Sequence, residues 1–156
     1  MASTNPTIHL GGLARRLVMD GLLDEATALD AHEKSIKKRQ HFVSYLVSNK
    51  ILNGSEIALS GSQEFGVPLY DLNVMDLDST PVTLVSDKLI HQHHALPLFK
   101  RGSRLYIAVS DPTNLAAIDE FKFHTGINTE AVLVEEEKLE KIIEEVLEKM
   151  DTTMSD

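Results

Sequence analysis

The chain has 156 residues, 42% of them hydrophobic and 25% charged, with a formal net charge of -9 and no cysteine or tryptophan. That length suits one ordinary domain or two small lobes sharing an interface. The negative balance argues against non-specific binding to nucleic acid or to an anionic membrane, and the missing cysteines exclude disulfides, thiolate zinc sites and a cysteine nucleophile.

The opening MASTNPTIHLGG has no basic segment followed by an apolar stretch of signal-peptide length. No run of about 18 apolar residues occurs anywhere, so no membrane span is expected and the chain reads as cytoplasmic. Residues 1–9 are expected to be disordered. Beyond them the sequence repeats itself at an offset of 29: Leu13 falls on Phe42, Leu17-Val18 on Leu46-Val47, Leu22-Leu23 on Ile51-Leu52, and Asp24 on Asn53. Each copy reads as a short helix, an apolar turn, a capping Asp or Asn, and a second helix. The second helices are expected over Glu25–Lys37 and Ser55–Glu64. Two such hairpins should pack on each other, since neither buries its apolar stripe alone. Between them, the basic run from Lys34 to His41 reads as a solvated helix end, where cations complement the carbonyl terminus.

After EFGVPLYDL the texture changes. Gly66 and Pro68 punctuate, and Asp71 to Thr83 reads as a loop. Ser86 caps a short helix ending in HQHH. ALPLFKRGSRLYIAVSD reads as two strands around a turn at Lys100 to Ser103, with Gly102 supplying the permissive backbone. Asn114 caps a helix that Gly126 terminates. NTEAVLVEE is a third strand. Leu139, Ile142, Ile143, Val146, Leu147 and Met150 then repeat at helical spacing, with Glu137 and Lys141 placed to pair on the wet face. The expected fold is α+β: an all-helical lobe of two repeated hairpins over residues 10–66, a small helix-covered mixed β-sheet lobe over 67–150, and a disordered tail over 151–156.

The chemistry is sparse. His91, Gln92, His93 and His94 could suggest a metal site, but imidazoles at a helix C-terminus are favoured by the dipole without any ion, and no metal is expected. If the helix continues through them, His91 and His94 share a face. No G-x-x-x-x-G-K-[ST] occurs, so there is no P-loop. Asp111 before Pro112 reads as a turn residue, and no nucleophile elbow or kinase signature frames the serines and histidines. The chain is not expected to be an enzyme.

The paired hairpins, EFGVPLYDL, HALPLFKRGSRLYIAVSDPTN and INTEAVLVEEEKLEKIIEEVLEKM together resemble one family. They look like the N-terminal domain of the PilB-type pilus-assembly (extension) ATPases, which are related to the type II secretion ATPases. The resemblance runs from about Leu10 to Met150, and P-L-F-K-R-G-x-x-L-x-I-A-V-S-D-P is its most specific part. It implies a domain that precedes a hexameric motor, so that ATP and magnesium belong to the full-length parent and no cofactor to this segment.

In one branch of that family, paired Arg-Leu-Gly motifs bind cyclic di-GMP. Here those positions carry Leu13, Ala14 and Arg15 in the first copy and His41, Phe42 and Val43 in the second, which leaves Arg15 and His41 as the candidate nucleotide contacts. The glycines that would let backbone approach a phosphate are absent from those positions. The resemblance further implies docking to a PilZ-type adaptor, itself linked to a FimX-type cyclic di-GMP receptor, or to inner-membrane platform proteins. On that reading the domain is peripheral to the inner membrane through its partners. Leu10, Leu13, Arg16 and Leu17, on one helix near the N-terminus, are the candidate docking residues.

Overall fold

The computed structural model describes residues 10–74 and 80–155, with side chains through 150. Residues 1–9, expected to be disordered, lie outside the described residues.

The first lobe consists of two helical hairpins, α1 (Gly12–Met19) with α2 (Glu25–Lys37) and α3 (Phe42–Ser48) with α4 (Gly54–Phe65). Their second helices start where the capping residues dictate. The Asp24 side chain accepts from Thr27 N, and Asn53 accepts from Glu56 N while Glu56 reaches back to the Asn53 N–H, a full capping box. The linking turns share one hydrogen-bond pattern. Leu22 N and Leu23 N donate to Leu17 O at 3.0 and 3.3 Å, and Ile51 N and Leu52 N donate to Leu46 O at 2.9 and 3.4 Å. Both turns need a left-handed residue, Gly21 at φ 77° and Lys50 at φ 57°. The two leucines that receive these bonds, Leu17 and Leu46, lie at the centre of the lobe's core with Leu13, Ala28, Val43 and Ile57.

The second lobe is a three-stranded sheet in the order β1 (Leu96–Arg101), β2 (Arg104–Val109), β3 (Asn128–Leu133). β1 and β2 form an antiparallel hairpin turned at Gly102, with a register shift between Pro97 and Phe99 that accommodates the proline. β3 returns parallel to β2 after the crossover helix α6 (Leu115–Thr125), which Asn114 caps and left-handed Gly126 ends. The short helix α5 (Asp87–His93) precedes β1, capped by Ser86. The long helix α7 (Glu136–Ser155) closes the lobe, and it continues through 151–155, which the sequence suggested as a tail. Phe121, Leu96, Leu105, Ile107, Leu133 and Leu139 form the buried centre. Of the loop expected over 71–83, the described parts contain 3-10 turns at Leu72–Val74 and Val82–Leu84.

The two cores touch through α4. Ile57 belongs to the first and its neighbour Ala58 to the second. At the same junction the first turn of α7 abuts the first turn of α4. Both carboxylate oxygens of Glu137 lie 3.1 Å from Gly54 N, where an anion complements the positive helix end. A Cβ at residue 54 would sit 2.7 Å from Glu136 N, so only glycine lets the elements approach this closely. Glu137 is thus engaged across the lobes, and the sequence-expected pair with Lys141 is not formed; Lys138 instead lies 3.8 Å from Asp71 and 3.6 Å from Glu135.

Candidate functional site

The expected docking stripe on α1 points two ways. Leu13 and Leu17 are 3% and 0% exposed, packed into the lobe's core, and cannot touch a partner while the lobe is folded. Apolar residues at helical spacing here follow the inward rule. Leu10 is half-buried against the same core. Arg16 is an internal brace: its guanidinium binds Asp20 at 2.9 Å, Glu64 at 2.9 Å and Gln63 at 3.2 Å, tying α1 to the end of α4. Ser60 adds a 2.7 Å hydrogen bond to Asp20, and these bonds from Ser60 and Arg16 hold the Asp20 carboxyl below its ordinary range. The outward face of α1 is Arg15 with Met19, the latter 73% exposed. Sequence periodicity concealed Met19, because the leucines accounted for the apolar stripe.

The positions corresponding to the family's dinucleotide motif are altered in both identity and surroundings. The matching turns fix the structural offset at 29, so the counterpart of His41 is Gly12, and that of Arg15 is Ser44. The assignment of the first motif to Leu13–Arg15 is therefore one residue out of step with the second. At Gly12, a Cβ would lie 2.8 Å from Cζ of Phe65, whose ring would have to move aside for any larger residue. His41, the N-cap residue of α3, sits where its Nε2 is 3.1 Å from the Gln92 carbonyl, with its ring stacked on His94 at 5.7 Å between centroids. Its polar edge is directed at the second lobe.

His41 borders a buried polar cluster at the seam between the lobes. Glu136, in the first turn of α7 and only 4% exposed, accepts from Ser44 Oγ on α3 at 3.0 Å and from Ser110 Oγ after β2 at 2.6 Å. His94 Nε2 lies 2.8 Å from its Oε2. Three separate elements thus converge on one carboxylate, as a buried acid requires. His94 reaches it because the chain leaves α5 there: its backbone is left-handed at φ 50°, so the helix does not continue and His94 does not share the helical face with His91 that a continued helix would give. Burial pushes the His94 imidazole pKa down, but the hydrogen bond and charge of Glu136, with Glu140 beyond, outweigh that and hold it above its ordinary value. The neighbouring His93 is pushed the other way by burial, reinforced by His41 and His124 against the opposing charge of Glu120. No sequence motif announced this cluster, whose members lie 26, 42 and 92 residues from Glu136.

Serine, histidine and glutamate in contact invite comparison with a hydrolytic triad, but the connectivity is wrong. A triad needs the imidazole between serine and acid so that it can take the hydroxyl proton. Here both hydroxyls and the imidazole bond to Glu136, so the imidazole does not stand between either serine and the acid. The arrangement holds elements together.

The MshEN domain family matches residues 65–153. The chain is 40% identical to the type IV pilus assembly ATPase PilB of Pseudomonas aeruginosa over 144 residues, 92% of this chain and 25% of the relative. To PilB of Myxococcus xanthus it is 29% identical over 134 residues, 86% of this chain and 24% of the relative. It therefore spans about a quarter of the length of the curated relatives it matches. Among solved structures, MshE with cyclic di-GMP is similar with a TM-score of 0.61 and 24% identity, covering 86% of this chain and 97% of the other. The N-terminal domain of XpsE gives a TM-score of 0.69 at 20% identity, covering 92% and 97%. No helix among the described residues is long and apolar enough to cross a membrane. With more than half of its residues matched, the chain belongs to the MshEN domain family and corresponds to the N-terminal domain of PilB-type ATPases, whose ATPase domain lies elsewhere in the full-length relatives.

Proposed function

We propose that this chain is a non-catalytic docking and regulatory domain of a type IV pilus extension ATPase. It would bind a PilZ-type adaptor, itself coupled to a FimX-type cyclic di-GMP receptor, or inner-membrane platform proteins, and so control pilus assembly from the cytoplasmic face. One observation carries the reading. The twin-hairpin frame persists while its two leading motif positions hold Gly12, under the Phe65 ring, and His41, turned onto Gln92 and His94. A frame without its phosphate-gripping cations retains a use as a protein-binding scaffold.

The docking face on this reading is the outer side of α1, with Arg15 and Met19 as contacts, the half-buried Leu10 at its leading edge and Arg16 holding the helix in place. An exposed Met beside an Arg supplies an adaptable apolar anchor and a charge of the kind that concentrates binding energy. Arg15→Glu and Met19→Glu are each expected to weaken adaptor binding at least about tenfold, with the melting temperature unchanged. Undiminished binding to both the adaptor and the platform proteins in both variants would remove α1 from consideration.

A second reading, direct sensing of cyclic di-GMP, draws support from the MshE structure with that ligand. Arg15 and His41 would then contact the phosphates. Calorimetry decides it: no heat, and no rise in melting temperature at a large ligand excess, retires this reading.

A further inference from the structure

At the seam, α7 places a second carboxylate beside the buried pair. Glu140, one helical turn after Glu136, has its Oε1 3.7 Å from His94 Nε2. One ligand atom from each of His94, Glu136 and Glu140 lies within 4.8 Å of the other two. We propose that these three side chains form a binding site for a divalent transition metal of the zinc class, with the ion joining the start of α7 to the residue that ends α5. This inference is independent of the docking reading.

The geometry is close to what such an ion requires. Zn–N and Zn–O bonds of about 2.0–2.2 Å at a tetrahedral angle separate ligand atoms by roughly 3.4 Å. The observed separations from His94 Nε2 are 2.8 Å to Glu136 and 3.7 Å to Glu140, one slightly short and one slightly long. Adjustments of about half an ångström, within the reach of side-chain torsions, would bring these two separations to the required spacing, and the two carboxylates lie within 4.8 Å of each other. The set also has an outer shell. Ser44 and Ser110 donate to the two oxygens of Glu136, fixing the carboxylate plane as partners of metal ligands do. An imidazole among the donors favours zinc-class ions over magnesium or calcium, which prefer all-oxygen sites.

Charge points the same way. Two carboxylates face one imidazole, so the cluster is negative even when His94 is protonated. The two carboxylates face a cleft of about 420 Å³ that Gln40, Val47, Ser48 and Glu137 also line. His41 does not compete, its Nε2 being engaged by the Gln92 carbonyl. A bound ion would join α7 and the end of α5 directly, and α3 through Ser44.

The test uses this chain stripped with EDTA and titrated with zinc chloride, with cobalt(II) chloride as the spectroscopic probe. The expected result is one saturable site per chain, a melting temperature several degrees higher at about 100 times the dissociation constant, and cobalt absorption characteristic of tetrahedral nitrogen and oxygen ligation. Glu140→Gln, at a half-exposed position, should weaken binding at least about tenfold while leaving the metal-free protein as stable as before. His94→Asn should abolish binding, and if that variant fails to fold, Glu140→Gln carries the test. His91→Ala and His93→Ala should bind as the parent does. Absence of a saturable site, full affinity in Glu140→Gln, or loss of binding in either His91→Ala or His93→Ala would overturn the proposal.

Discussion

The two hairpins share a turn geometry, a capped second helix and a central leucine, yet their first helices have opposite environments. On α1, Arg15 and Met19 face outward and the polar bonds of Arg16 and Asp20 stay within the lobe. On α3, the counterparts of Arg15 and Arg16 are Ser44 and Tyr45, both buried, and Ser44 reaches across to Glu136. A duplicated frame therefore divides the work: the second copy is consumed in joining the lobes and the first is left with a face to offer. Position in the assembly, rather than the repeated pattern, sets what each copy can do.

The comparison is tested most severely at its shared element. Leu17→Ala and Leu46→Ala each remove a fully buried side chain from the same core, and each should cost about 2–5 kcal/mol in urea unfolding. A much smaller loss for Leu46→Ala would mean that the seam, rather than the lobe's own core, holds the second hairpin. Next comes the divergent pair. Ser44→Ala should cost about 1–2 kcal/mol, because Glu136 loses a donor inside the protein, whereas Arg15→Ala at the equivalent exposed position should stay within about 0.5 kcal/mol. Equal effects would erase the distinction between the copies.

The turns offer a change in the other direction. Gly21 and Lys50 hold equivalent left-handed positions, and only the lysine is strained there. Lys50→Gly should raise stability by up to about 1 kcal/mol, read from the same unfolding curves.

The smallest effects are those of pH, and they run oppositely at the seam and on the first hairpin. The folded-state pKa of His94 is raised, so in chelator-treated protein its contribution is complete below its ordinary value of 6.5 and is lost as pH rises through the folded value. His94→Asn, which tolerates the left-handed backbone, should therefore destabilise more at pH 6 than at pH 8. Asp20, on the first hairpin, has a lowered pKa, so its contribution is complete above its ordinary value of 3.8 and disappears as pH falls. Asp20→Asn should accordingly matter at neutral pH and cease to matter in acid. A stability difference for His94→Asn that is flat from pH 6 to 8 would mean the imidazole does not titrate against Glu136.

Glu136 shows where reading the sequence stops. It begins a run of charges that looks like a solvated helix face, and nothing local marks it as buried. Its partners come from the end of α5 and the end of β2 in its own lobe and, once the lobes pack, from α3. The same limit explains Leu13 and Leu17: their spacing identified an apolar stripe, but which side of it met the core depended on α4. Gly54 looked like an ordinary residue after a cap until α7 approached it.

What the sequence determined by itself was everything governed by neighbours along the chain. Asp24, Asn53, Ser86 and Asn114 start helices because their side chains satisfy free N–H groups a turn away. Gly126 ends one because it alone adopts the left-handed backbone without strain, and the alternation from Arg104 to Val109 makes a strand half-buried at its start and fully buried at its end. These are interactions over a few residues, and they gave the order of elements and the twin hairpins. Tertiary structure decided which carboxylate was buried, which arginine became a brace and which face of α1 stayed open. Burial and charge pairing depend on distances between elements far apart in sequence, and no local pattern encodes them.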